Sequence, residues 1–285
     1  MPLGLKIDVD TYRGMKEGVP RLLEILNQYG LKASFFLSVG PDASGLAVLQ
    51  LIKNPRFLKK LFRSQAHRLY GWKTALYGTI LPSPMIALSF PHLVRRMAQE
   101  GHEVALHAWD HRRWQDSLPK RSEAWILSWL KKGIQAFQDL LGRPPEAFGA
   151  PAWVMDERAL KIVSHLISPV YLSCTRSSEP FIYEGYEILE IPSDLPCLEE
   201  VGIEAVKEVL AYAVADGRIH VLPVHAEVEG GRWAHAFAGM LQELLHGGTS
   251  ILTLREMEKI IDRSAVGRRL PRLSMIPGRA SPCLV

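Results

Sequence analysis

A chain of 285 residues, 47% hydrophobic and 22% charged, can bury a sizeable core and has the composition of an ordinary soluble globular protein. Its three cysteines, Cys174, Cys197 and Cys283, are too few and too scattered for a disulfide framework or a thiolate zinc site. The formal net charge of +4 excludes little by itself, and its distribution matters more than its sum.

Met1 leads straight into a strand-like run, so no signal peptide is expected, and no apolar run reaches the roughly 18 residues of a membrane span. Strand and helix signals then alternate, which predicts an α/β fold with mainly parallel strands. Leu3–Val9 reads as a first strand that closes on Ile7-Asp8-Val9-Asp10. Carboxylates ending an apolar run are how α/β enzymes carry a site at the carboxyl ends of their strands. Asp8 and Asp10 share a face if the strand runs through both, so one can bind a metal while the other acts as a base. Val19, Leu22, Leu23 and Leu26 follow at helical spacing, with Pro20 near the start and Gly30 after the end.

Ala33–Val39 is a second strand, His92–Glu100 a short helix and Glu103–His107 a third strand, which runs into His107-Ala108-Trp109-Asp110-His111. Two imidazoles four apart can converge on one ion if the backbone turns there, in a helix or a tight loop. Alone, the pair describes two surface-loop histidines equally well. Ser117–Leu141 predicts one long helix whose stripe of Trp125, Trp129, Ile134, Phe137 and Leu141 reads as core, with Gly142 ending it. Further strands are expected at Ala147–Ala150, Val170–Cys174, Glu187–Ile191 and Ile219–Val224, with helices at Asp156–Leu166 and Ile203–Ala215. The last of those strands closes on His225. A helix around Phe237–His246, a strand at Ser250–Leu252 and a helix from Leu254 to Ile261 complete a single domain over residues 1–262. One carboxylate with His107 and His111 forms a two-histidine, one-carboxylate set that leaves coordination positions open for water and substrate.

Two stretches are one-sided in charge. Residues 43–99 carry Lys53, Arg56, Lys59, Lys60, Arg63 and further cations among apolar and aromatic residues, with no acid. A merely solvated basic face, an anionic membrane or lipid-phosphate contact, and nucleic-acid binding all fit such a stretch; no nucleic-acid fold motif accompanies the charge. Residues 263–285 again lack acids and read as a loose, basic C-terminal tail.

The motif residues carry a resemblance. The chain resembles the polysaccharide deacetylase family, the NodB-homology metal-dependent carbohydrate N-deacylases, through Ile7-Asp8-Val9-Asp10, His107 to His111 and Leu222 to His225. More narrowly it is similar to the formamido-arabinose-phosphoundecaprenol deformylase branch, through IDVDT, MKEGVPRLLEIL, SVGPD, LYGW, LHAWDH and HAEVEG, over most of residues 1–260. The resemblance implies a distorted, incomplete (β/α) barrel. It implies one divalent ion (zinc, manganese, cobalt or nickel) on Asp10, His107 and His111, with Asp8 as general base and His225 as proton donor to the departing amine. Trp153 and Trp109 would line the sugar site with Arg13 and Glu227, and Glu227 would either orient His225 or bind the amino sugar. The substrate would be a lipid-linked sugar, met in the cytoplasm at the inner face of the cytoplasmic membrane, with no nucleic acid and no obligate protein partner.

Bland readings stand beside these: Asp8 as the ligand and Asp10 as a helix cap, His225 as a satisfied core histidine, Glu227 as a solvated carboxylate. The chain also departs from the family. Gly149-Ala150-Pro151 stands where the family has an arginine that pairs with the base, and Arg13 is a candidate substitute. No aspartate stands near Ser173-Cys174-Thr175-Arg176, where the family has one that tunes the catalytic histidine. A polysaccharide or peptidoglycan N-deacetylase, or a catalytically silent sugar- or lipid-binding protein on the same fold, are the alternatives.

Overall fold

The structure is a computed structural model that describes residues 2–47, 74–276 and 282–285. The chain opens with strand β1 (Pro2–Val9), helix α1 (Val19–Gln28) and β2 (Ser34–Ser38), then α2 (Pro91–Gln99), β3 (Glu103–Ala108), α3 (His111–Ser117) and α4 (Glu123–Leu141). There follow β4 (Ala147–Phe148), α5 (Glu157–Ile167), β5 (Tyr171–Leu172), β6 (Phe181–Tyr183), β7 (Ile188–Glu190), α6 (Leu198–Val201) and α7 (Ile203–Asp216). The last part holds β8 (His220–His225), α8 (Ala234–His246), β9 (Ser250–Leu252), α9 (Leu254–Ile260), β10 (Gly267–Arg269), β11 (Leu273–Ser274) and β12 (Cys283–Leu284).

The main sheet runs in the order β10-β6-β7-β5-β4-β3-β2-β1-β8, with β9 beside the first residues of β1. Its pairings are parallel except β6 with β7, so the architecture is the expected distorted, incomplete (β/α) barrel. Both faces of the sheet are buried, as parallel sheets require. On β1, Leu3, Leu5, Ile7 and Val9 are fully buried in the larger core between sheet and helices. The alternate residues Gly4, Lys6 and Asp8 face the interior, where Phe36, Ala105, Ala147, Tyr171 and Leu189 form a second core. The floor is closed by α9: the Leu254 amide donates to Ser34 Oγ at 2.7 Å, and a Cβ on Gly4 would collide with Met257 Sδ.

Three expectations change. The long helix expected over Ser117–Leu141 starts later, at Glu123: α3 ends at Ser117, Leu118–Lys120 forms a 3-10 turn with Pro119 in it, and Ser122 caps α4 by accepting the Trp125 amide. The strand β6 was not expected; it is a three-residue antiparallel partner of β7, too short to show a period. The basic C-terminal stretch is not a loose tail where it is described. Gly267–Arg269 pairs with β6, Cys283–Leu284 pairs with β11, and Cys283 is fully buried. Lys53 through Lys73 of the basic stretch lie outside the described residues.

Candidate active site

The carboxyl ends of β1, β3 and β8 meet at one end of the barrel. The register sets Asp8 of β1 opposite His225 of β8. Asp10 lies just beyond the end of β1, and its carboxylate reaches both imidazoles: Oδ1 is 3.3 Å from His107 Nε2, and Oδ2 is 3.2 Å from His111 Nε2. His107 is the penultimate residue of β3 and His111 the first residue of α3, so the motif is a strand-to-helix turn and not one helix face. Asp110 fixes that turn by capping α3, accepting the Arg113 amide at 3.0 Å. Buried Trp114 ties α3 to the loop after Trp153 by donating to the Val154 carbonyl at 2.7 Å.

The donor set fits a cation. His107 Nδ1 donates to the Gly149 carbonyl at 2.8 Å, which turns the lone pair of Nε2 toward Asp10. His107 Nε2 and Asp10 Oδ1 are buried polar atoms without a hydrogen-bond partner. Burial drives both histidines well below their ordinary range, helped at His107 by the charge of Lys6 and at His111 by His107 and Arg112. Both are therefore neutral, the form that binds metals. Burial, with Asp8 and Glu227 nearby, pushes the Asp10 carboxyl up against the opposing pull of His225 and Lys6. A bound divalent ion would reverse that mismatch. Asp10, His107 and His111 thus could hold one metal ion.

His225 stands on the other side of Asp10, its Nε2 3.9 Å from Asp10 Oδ2. Its Nδ1 forms a 2.7 Å ion pair with Glu199 Oε1, from the short helix α6. Burial works against a charge on His225, but Glu199 and Cys197 outweigh it and raise its pKa well above the ordinary value. The carboxylate that orients His225 is therefore Glu199 and not Glu227. Glu227 is 4% exposed, and its Oε2 lies over Gly14 without a hydrogen-bond partner. Burial pushes its carboxyl up to about 7, against the pull of His225 and with help from Glu199 and Asp42. The Glu227 backbone is pinned by close packing: a Cβ on Gly18 would collide with the Ala226 carbonyl.

Asp8 is 2% exposed, and the cation beside it is Lys6, whose Nζ lies 3.5 Å from Oδ2. Arg13, the expected substitute, instead pairs on the surface with Glu17 at 2.9 Å. Trp153 is 4% exposed, with Arg176 over its ring at 4.7 Å and Lys6 Nζ at 5.5 Å. It forms a buried wall beneath the site and not an open stacking platform. The backbone turns sharply there, with Ala152 and Trp153 both left-handed at φ 53° and 55°. Trp109 is half-buried, its ring against Gly40, whose amide donates to the Trp109 carbonyl at 3.0 Å. Sequence reasoning missed Lys6 and Glu199. The signal for Lys6 was its place two residues before Asp8 on the same strand face; Glu199 had none.

Residues 8–167 match the polysaccharide deacetylase family. The chain belongs to that family. The matched stretch carries Asp8, Asp10, His107, His111 and Trp153, whereas Glu199 and His225 come from beyond it. Among relatives, the chain is 35% identical over 262 residues to a Shewanella sediminis protein named probable 4-deoxy-4-formamido-L-arabinose-phosphoundecaprenol deformylase, covering 90% of this chain and 85% of that one. A protein of the same name from Wigglesworthia glossinidia brevipalpis is 32% identical over 254 residues, 86% of this chain and 88% of that one. The fold is shared with a solved Mycobacterium smegmatis structure assigned to the polysaccharide deacetylases, at a TM-score of 0.66 and 18% identity over 96% of this chain and 94% of that one.

Proposed function

We propose that this polysaccharide deacetylase family member is a metal-dependent amidohydrolase that removes the formyl group from a 4-formamido-arabinose carried on undecaprenyl phosphate. The reaction class rests on one observation: Asp10, His107 and His111 converge beside Asp8 and His225, from three strand ends far apart in the chain. The choice of formyl group and lipid-linked sugar rests on similarity over 90% of the chain to a protein named for that activity.

Asp10, His107 and His111 would hold the divalent ion, which supplies Lewis-acid polarisation of the amide and activation of water. Asp8 takes the proton from the attacking water as its oxygen bonds to the formamide carbon. The C–N bond then breaks, and His225 gives the proton from Nε2 to the departing nitrogen, releasing formate and a free amine. Glu199 holds the imidazole through Nδ1, and Lys6 stands beside the base. Glu227, buried with Oε2 unpartnered, is left for binding the amino sugar, because His225 is already held by Glu199. With both charge partners in place, a catalytically silent protein is the poorer reading.

The test is release of formate against acetate, measured on a formamido-arabinose lipid and on N-acetylated chitin and peptidoglycan oligomers. Formate from the lipid-linked sugar is the expected product. Acetate from the polymers alone would put the chain among the polysaccharide N-deacetylases, the second reading, which the broader family favours.

A lipid-linked substrate would bring the protein to a membrane surface. No helix among the described residues is long and apolar enough to cross one. The acid-free basic stretch over 43–99 supplies the charge for peripheral attachment at about 1 kcal/mol per cation near an anionic surface. Reversing Lys59, Lys60 and Arg63 to glutamate should therefore weaken flotation with phosphatidylglycerol vesicles by roughly 10-fold or more. Unchanged flotation would remove the attachment.

A further inference from the structure

Lys6 is fully buried in the interior of a barrel. An ammonium taken out of water is strongly unfavourable unless fixed partners replace its hydration. Its partners are few and specific. Nζ lies 3.2 Å from the Ser173 carbonyl, which accepts its hydrogen bond, and 3.5 Å from Asp8 Oδ2. The faces of Phe36 and Trp153 close around it at 4.8 and 5.5 Å from their ring centroids. Strand periodicity makes this placement unavoidable, since residues two apart share a face and Lys6 must project beside Asp8. Ser173, just after β5, Phe36 of β2 and Trp153 hold the ammonium from three other segments of the chain, so it is a fixed charge and not a mobile side chain. The two oxygens of Asp8 are consequently unlike. Oδ2 faces Lys6, while Oδ1 is buried without a hydrogen-bond partner.

We propose that Lys6 is the positioning residue of the Asp8 base, committing Oδ2 so that Oδ1 is the oxygen left to receive the proton of the attacking water. The role rests on the deacylase reading above and adds a residue that lies outside its motifs. Lys6 touches neither substrate nor the reacting atoms; its direct contact in the site is with Asp8, and the metal content of each variant separates that contact from its longer-range charge on Asp10 and His107.

A double-mutant cycle of Lys6→Met and Asp8→Asn tests this, with metal content measured in each variant. In the Asp8-containing protein, Lys6→Met should lower kcat by about 10- to 100-fold, part of what a general base contributes, with KM changed by less than about 2-fold and metal retained. In the Asp8→Asn background the same change should cost less than about 2-fold. Equal loss in both backgrounds, or no loss in either, overturns the role. Should Lys6→Met fail to fold, Lys6→Gln and Lys6→Arg replace it: arginine should retain most of the rate and glutamine should not, and an active Lys6→Gln overturns the role. A crystal structure of Lys6→Gln gives a readout independent of substrate, in which the Asp8 carboxylate should rotate away from its present orientation. An unmoved carboxylate overturns the proposal even if the choice of formamido sugar is wrong.

Discussion

His111→Ala is expected to lose its divalent ion and at least about 10³-fold of its turnover, the scale of a group worth several kcal/mol of transition-state stabilisation. His111 is the cleaner of the two histidines to remove. His107 also donates to the Gly149 carbonyl and is 1% exposed, so its loss would leave a buried carbonyl unpaired. The side chain of His111 is 17% exposed and touches Asp10 and the His107 ring, so alanine there removes a candidate ligand with little cost to the fold. Elemental analysis after gel filtration, with a thermal melt as control, reads both effects. Full metal content in folded His111→Ala, and in His107→Ala beside it, would refute the ligand set.

Asp8→Asn separates the base from the ligands. Asparagine keeps the shape of the side chain opposite His225 but cannot take a proton, so kcat should fall by about 10²- to 10⁴-fold. Metal content should stay at the wild-type level if the ion is held, as proposed, by Asp10, His107 and His111, the three residues whose ligand atoms converge. The bland assignment, in which Asp8 is the ligand and Asp10 a cap, predicts the reverse: Asp8→Asn would empty the site and Asp10→Asn would not. Comparing metal content across the two variants decides between the assignments.

The legible residues share one property. Asp8, Asp10, His107 and His225 each end an apolar run, and in a parallel sheet such runs end at the same side of the molecule. Their gathering at one end of the sheet could therefore be expected from chain order alone, whereas the choice of Asp10 over Asp8 beside His107 and His111 came from the family resemblance. Lys6 was hidden by the usual reading of alternation, in which a lysine inside an apolar strand belongs to a solvated face. A barrel strand has no such face, and the interior of this one is where Lys6 pairs with Asp8. Glu199 was hidden for another reason. It sits beside Glu200 in a four-residue helix, and no local pattern says that Glu199 meets His225 while Glu200 meets Arg176. Those pairings follow from how β8 and α6 pack, which is long-range information. The cation beside Asp8 and the carboxylate beside His225 thus come from Lys6 and Glu199, at positions in the chain outside the motifs that carry the family resemblance.

Anomalous scattering from crystals of the wild-type protein, collected at the absorption edge of the bound metal, tests the central claim most directly. The account predicts one peak within bonding distance of Asp10, His107 and His111. A peak lying elsewhere, or an active protein with no peak among these three residues, would contradict it.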